Sequence, residues 1–513
     1  MDLKPRETAS SEPSAASTTA ELLDRAFTRA AGAALVHGNA VRLLRDATEN
    51  YPAWLEAIRS AQHRICFENY FIRDDAIGAE FAAALAERAR AGVTVRVIYD
   101  WVGAFLKASR RFWQGMRDAG VQVRCFNPPH FTRPLEIFNR DHRKMLVVDG
   151  RVGFVTGLCV GQSWVGDPER GLAPWRDTGI EVRGPAVWDI ERAFAQMWAA
   201  IGSPIPDDEL TPRGTIPPAG DVALRIVANA PGTTGIFRLD QLIAAAARRT
   251  LWLADAYFAG VPPYVQALRA AALDGVDVRL LVPGSSDITL LRPLSQAGYR
   301  PLLETGVRVF EWKGTMMHAK TAVADGRWAR VGSSNLNVAS WVNNYELDVV
   351  VEDERFAAEM EAMYVADLEN ATEIVLQPRR RGIILHSIGG GKTGERRRWH
   401  RHTLGLSGSG RGSASRAAAG ALRLSRTVGA ALSEQRVLEP TEARVIGIVG
   451  VLWIVLAIAA AVWPLLASIP LIFISVWIGI ALLARARALR RMRRSRGLPP
   501  TRVAPLDRQQ GEP

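Results

Sequence analysis

The chain has 513 residues and a formal net charge of +12. That length is too great for one hydrophobic core and predicts two domains with tails, while the basic balance suits a polyanionic partner. The three cysteines, Cys66, Cys125 and Cys159, have no metal-ligand spacing, which excludes a cysteine-held metal centre and reads as reduced thiols in a cytosolic setting.

Taken in order, residues 1–33 read as a disordered leader: the first twenty are rich in Ser, Ala, Thr, Glu and Pro, with no apolar run. Residues 34–215 form a first predicted domain, with a helix over 76–90 followed by strands over 91–100 and 119–126. The hairpin His142 to Val155 turns at Asp149-Gly150. A join rich in Pro, Asp and Gly spans about 203–221. The second domain, 216–377, repeats the order. Ala256-Tyr257-Phe258 parallels Asn69-Tyr70-Phe71, a helix over 264–273 leads into a strand over 274–283, and residues 305–312 parallel 119–126. A second hairpin runs from His318 to Val331 through Asp325-Gly326. Helices alternating with short β-branched strands predict an α/β fold. The expected architecture is two similar domains with mixed, mainly parallel sheets, related by a pseudo-twofold axis and sharing one cleft.

Beyond residue 377 the character changes. Residues 378–443 form a basic Gly, Ser and Arg-rich linker, attracted to an anionic membrane surface. Residues 445–484 carry no charge, long enough for two bilayer crossings, so 444–485 is predicted to be a transmembrane helical hairpin with Pro464 and Pro470 in or near its turn. Basic residues at both ends, Arg444 and the arginines of the tail 486–513, place both ends and the domains in the cytoplasm. Gly391-Lys392-Thr393 resembles the end of a nucleotide-binding loop, but the required earlier glycine is His386.

The chemistry is carried by a doubled signature, His-x-Lys with Asp five residues after the Lys: His142, Lys144 and Asp149, then His318, Lys320 and Asp325. With only six lysines in the chain, two chance matches are improbable. In a strand, residues i and i+2 share a face, so each His lies beside its Lys on a strand expected to alternate between core and solvent. A phosphodiester is an anion, and attack on it needs donors fixed around its oxygens beforehand. Two lysines supply that charge without a metal or other cofactor. One histidine can attack phosphorus while the other protonates the departing alcohol and later activates the acceptor. Gly332, Ser333, Ser334 and Asn335 are small, polar groups able to approach a phosphate. Asp177 and Glu346 are carboxylates able to fix a histidine tautomer.

These residues resemble the phospholipase D superfamily and, within it, the bacterial cardiolipin synthases; the resemblance runs from about Ala34 to Leu376 and rests on NRDHRKMLVVDGRVGFVTG, WRDTGIEVRGPAV and HAKTAVAD with GSSN and NNYE. It implies His142 or His318 as nucleophile and the other as acid and base, with the N-terminal His142 preferred, and it implies Lys144, Lys320 and Asn335 on the phosphoryl oxygens. Asp177 and Glu346 would orient the histidines, and Asp149 and Asp325 would be mostly structural. The chain departs from the family at Cys159, where an asparagine is usual, and at Asn337 and Ala339, where Asp and Arg are usual. The implied partners are membrane phospholipids, phosphatidylglycerol and cardiolipin, with no nucleic acid, at a bacterial inner membrane. The expected activity is phosphatidyl transfer. Hydrolysis by the same intermediate, or lipid binding without turnover, are the alternatives.

Overall fold

The computed structural model describes residues 24–129, 139–285 and 291–376. The predicted basic linker, transmembrane hairpin and tail lie outside the described residues; among the described residues no helix is long and apolar enough to cross a membrane.

The first half contributes β1 (Val36–Arg45), β2 (Arg64–Asn69), β3 (Thr94–Asp100), β4 (Gln122–Phe126), β5 (Arg140–Asp141), β6 (Lys144–Val148), β7 (Val152–Thr156) and β8 (Thr178–Arg183). The second contributes β9 (Val222–Asn229), β10 (Thr250–Asp255), β11 (Asp277–Pro283), β12 (Arg308–Trp312), β13 (Lys320–Ala324), β14 (Trp328–Gly332), β15 (Asn344–Glu352) and β16 (Ala371–Ile374). The strands join in the order β16-β12-β11-β10-β13-β14-β15-β9-β1-β8-β7-β6-β2-β3-β4, with β5 paired to β15 off this path. The halves repeat one another about the central β9 and β1 pair.

The expectation of mainly parallel sheets is corrected. Along that path only β2-β3-β4 and β10-β11-β12 pair in parallel. Those strands are joined by the helices Ala76–Arg90, Arg110–Asp118, Pro262–Leu273 and Leu291–Leu303, which supply the crossovers that parallel pairing needs. The motif hairpins β6-β7 and β13-β14 are antiparallel, as two-residue turns require, and they hold the middle of each half. Both turns have positive φ at each central residue: 53° and 64° at Asp149 and Gly150, 54° and 66° at Asp325 and Gly326. These values suit the twist of a hairpin.

Nor do the motif strands alternate between core and solvent, since β6 and β13 are buried at every position. The two-residue period sorts side chains between two cores instead. Met145 and Val147 enter a core shared by both halves, which the helices Val187–Ala200 and Glu354–Glu369 help to close. Leu146 and Val148 face the outer helices of the first half. The shared core locks the halves together, and that sets the relative position of the two motifs.

Part of the predicted leader belongs to the fold. Residues 24–31 are helical. Asp24 and Thr28 bind the buried Arg225, and Ala31 and Phe27 pack on the second half. A buried guanidinium needs such partners, and that need orders the segment.

Asp149 and Asp325 sit at the hairpin ends, with no contact to the histidines. The Asp149 carboxylate accepts the backbone N–H groups of Gln62, His63 and Arg64, each at 2.8 Å. Asp325 does the same for Arg248, Arg249 and Thr250, at 2.7 to 3.2 Å. They pin the hairpin to the strand before it, and the geometry removes them from the candidate catalytic set. Burial would raise the Asp149 carboxyl, but the three N–H donors hold it below its usual range. Its contribution to stability is therefore present above the ordinary carboxylate pKa and lost as pH falls through the depressed one. Asp149→Ala is expected to cost about 1.5–3 kcal/mol in thermal or denaturant unfolding. Asp149→Asn should cost less, because asparagine tolerates the left-handed backbone and still accepts hydrogen bonds.

Candidate active site

His142 lies between β5 and β6. The two residues before it run parallel to β15, with Arg140 opposite Asn344 and Asp141 opposite Tyr345. The His142 N–H donates to the Tyr345 carbonyl at 3.0 Å. The next residue of β15 is Glu346, whose carboxylate oxygens stand 2.9 and 3.1 Å from His142 Nδ1. The other motif uses the same device in reverse. Arg176 bridges to Met317, the His318 N–H donates to the Arg176 carbonyl at 2.7 Å, and Asp177 Oδ2 lies 2.7 Å from His318 Nδ1. Each imidazole is thus held by a carboxylate from the opposite half. A short backbone ladder delivers each partner.

With Nδ1–H donated to a carboxylate, each Nε2 keeps its lone pair for chemistry. Burial would raise both carboxyls. For Asp177 the adjoining His318, Lys320 and the Trp164 indole more than offset it; for Glu346 the adjoining His142, Lys144 and the Ser333 hydroxyl do so. Both carboxyls stay ionised. Burial pushes His318 down to about 4, aided by Lys320 and opposed by Asp177. Burial lowers His142 as well, against the pull of Glu346. Both imidazoles are therefore neutral near pH 7, the state a nucleophile requires.

The lysines fold back on their own motifs. Lys144 Nζ donates to the His142 carbonyl and Lys320 Nζ to that of His318, the i and i+2 arrangement of a strand. Lys320 Nζ also lies 3.0 Å from His318 Nδ1. Because Nδ1–H already donates to Asp177, that approach sets one donor against another and helps to lower His318. Burial brings Lys320 itself down to about 8.

The sequence expectation that Ser333 approaches a phosphate is corrected, since its hydroxyl is turned to Glu346 and the β15 backbone. Its Oγ donates to Glu346 Oε2 at 2.6 Å, and Asn344 Nδ2 donates to Oε1 at 3.1 Å. In the other half Gly157 stands at the matching place, and the Trp164 indole N–H replaces the hydroxyl, donating to Asp177 Oδ2 at 2.9 Å. Asn335 is buried with its Oδ1 unpartnered, available to a ligand. Cys159, at the matching position, is a buried thiol raised by desolvation, with Lys144, Lys107 and Lys320 among the charges that act on it.

The sequence reading missed an aromatic wall. The Tyr70 ring lies 5.1 Å from that of His142 and 5.2 Å from Lys144 Nζ. Tyr257 stands 5.7 Å from both the His318 ring and Lys320 Nζ. Trp164 and Trp175 complete the wall around His318, with ring centroids at 5.5 and 5.7 Å. Such rings exclude water and strengthen the charges inside. The signal was present in the repeat, where Asn69-Tyr70-Phe71 matches Ala256-Tyr257-Phe258.

Gly157 shows how tightly the carboxylate is held, since a Cβ there would come 2.2 Å from Asp177 Oδ1. Gly157→Ala is expected to displace Asp177 and lower kcat by roughly 10²-fold, the cost of a small misplacement. Steady-state kinetics beside a thermal melt would separate this from unfolding.

The twin motifs on a doubled α/β fold, with a carboxylate exchanged between halves, define a phospholipase D-like site for phosphoryl transfer. Comparison with known proteins gives the same class. Residues 54–198 and 239–368 match the family described as "Cardiolipin synthase, PLD-like domain". The chain is 33% identical over 339 residues to the cardiolipin synthase of Alkalihalophilus pseudofirmus, covering 65% of this chain and 67% of that protein. It is 35% identical over 356 residues to cardiolipin synthase A of Pseudomonas aeruginosa, covering 68% and 71%. Among solved structures, phosphatidylserine synthase of Haemophilus influenzae Rd KW20 shares the fold, with a TM-score of 0.51 at 17% identity over 69% of this chain and 92% of that one. The chain belongs to the cardiolipin synthase family of phospholipase D-like proteins.

Proposed function

We propose that the chain transfers a phosphatidyl group from one phosphatidylglycerol to a hydroxyl of a second, releasing glycerol and forming cardiolipin. The observation that carries this is the pair of imidazoles with Nδ1 held by buried carboxylates and both ammonium groups close by. The bound phosphodiester anion favours uptake of a proton at His318 Nε2; His142 Nε2 attacks phosphorus, and the bond to the glycerol oxygen breaks as His318 delivers that proton to it. The headgroup hydroxyl of the second lipid then attacks the phosphohistidine, giving its proton back to His318 and freeing His142. Lys144, Lys320 and the Nδ2–H groups of Asn335 donate to the non-bridging oxygens. No cofactor or metal takes part. A membrane-anchoring hairpin over 445–484, with the catalytic halves on the cytoplasmic side of a bacterial inner membrane, raises the effective concentration of both lipids. The similarity to proteins named as cardiolipin synthases in two bacteria supports this donor and acceptor over hydrolysis.

The test is lipid mass spectrometry of phosphatidylglycerol vesicles holding the reconstituted protein, with free glycerol measured and His142→Ala and His318→Ala as controls. Cardiolipin and glycerol appearing together, and vanishing in both variants, is the expected result. Phosphatidic acid and glycerol without cardiolipin would make water the acceptor and overturn the proposal.

A further inference from the structure

Three loops leave the strands that carry the site and end in apolar side chains facing water. Residues 101–109 follow β3 and present Phe105 and Leu106, 53% and 90% exposed. Residues 157–177, between β7 and β8, present Val165 and Leu172, the latter 52% exposed. Residues 333–343, between β14 and β15, present Val338 and Val342. Leu106 is held at φ +60°, which a branched side chain adopts only under strain, so the backbone presents it outward at a cost.

These loops belong to one mouth. Lys107 lies over the Phe71 ring at 3.7 Å, Phe71 packs on Trp164 at 5.9 Å, and Trp164 touches His318. Asp74 and Asp75 tie the loops together through hydrogen bonds to Lys107, Ser109 and Gln162. The third loop is fastened at Asn337, which donates to the Tyr257 carbonyl at 3.0 Å, and Tyr257 stacks edge-on to His318.

The charge beside the first of these loops is positive. The run Phe105 to Arg111 carries three cations and no carboxylate. Arg110 and Arg111 are exposed in the first turn of the helix Arg110–Asp118, and that first turn holds no acidic residue. The helix dipole already makes that end positive, so these arginines destabilise the isolated helix unless an anion meets them. Exposed apolar side chains with adjoining cations match the boundary between acyl chains and anionic headgroups.

We propose that Phe105, Leu106, Val165, Leu172, Val338 and Val342 form a rim that seats the mouth of the site in an anionic bilayer, so that a phosphatidyl group enters without crossing water. This rests on the lipid reading of the site, but its test does not depend on turnover. Single cysteines are introduced as Leu106→Cys, Leu172→Cys and Val338→Cys in the full chain carrying Cys125→Ser; Cys66 and Cys159 are buried. Each is labelled with an environment-sensitive dye in vesicles of phosphatidylglycerol and phosphatidylethanolamine. Leu273→Cys, 71% exposed on the helix Pro262–Leu273, is the control. Blue-shifted emission and at least threefold stronger quenching by acyl-brominated lipid at the three rim positions than at Leu273 is expected. Rim probes quenched no more than Leu273 would overturn the proposal, as would a blue shift without quenching, which would mean that protein covers the rim. Quenching in a protein that makes no lipid product would reject the reaction and keep the docking face.

Discussion

Replacing Asp177 with asparagine is expected to lower kcat by about 10³ to 10⁴-fold with the fold intact, the scale of loss when a histidine is left in the wrong tautomer. The amide nitrogen would face the Nδ1–H of His318, donor against donor, so the ring must turn or move its proton to Nε2. Either response removes the lone pair that the reaction needs. The decisive feature is which histidine responds. Asp177 belongs to the first half, yet it contacts His318 of the second at 2.7 Å. In protein labelled with ¹⁵N-histidine, the His318 ring nitrogens should shift strongly and those of His142 little; Glu346→Gln should do the converse. A response of His142 to Asp177→Asn would overturn the crossed pairing. It would also leave unexplained why Arg176, beside Asp177, is clamped between Asp46 at 3.0 Å and Asp367 of the second half at 2.8 Å.

That crossing marks the limit of what could be read from the chain. The doubled motif was legible because its parts are local: the His-x-Lys spacing and the Asp-Gly turn each lie within a few residues and follow from strand period and hairpin geometry. The repeated order of elements was legible for the same reason. The carboxylates could be named as orienting groups, but their assignment rests on contacts across 141 and 204 residues, which no local pattern encodes. Ser333 illustrates a subtler failure. Small polar residues after a phosphate motif suit a phosphate contact, but β14 and β15 pair so closely that the hydroxyl meets Glu346 first. The parallel sheet was over-read because helix and strand alternate at the ends of each half, while the hairpins that fill the middle are antiparallel. Tyr70 and Tyr257 were visible as a repeat, and only the packing of their rings beside the histidines gives that repeat a meaning.

Lys320→Ala is expected to lower kcat/KM by about 10² to 10³-fold, the effect of removing one fixed donor from a developing anion. The intact protein should reveal the same ammonium through pH. Burial depresses Lys320 from 10.5 to about 8, so its charge is present below that value and lost above it. In the free protein, kcat/KM should therefore fall as pH rises through about 8. A bound phosphodiester stabilises the ammonium and raises its pKa, which moves the alkaline limit of kcat to higher pH than that of kcat/KM. Lys320→Arg tests the assignment, because a guanidinium stays charged throughout this range. Its rate should be lower, since the planar group cannot fold onto the His318 carbonyl as the ammonium does, but its alkaline limb should disappear. If the limb persists unchanged in the arginine variant, the titrating group is another one, and Lys320 does not supply the charge that meets the phosphate.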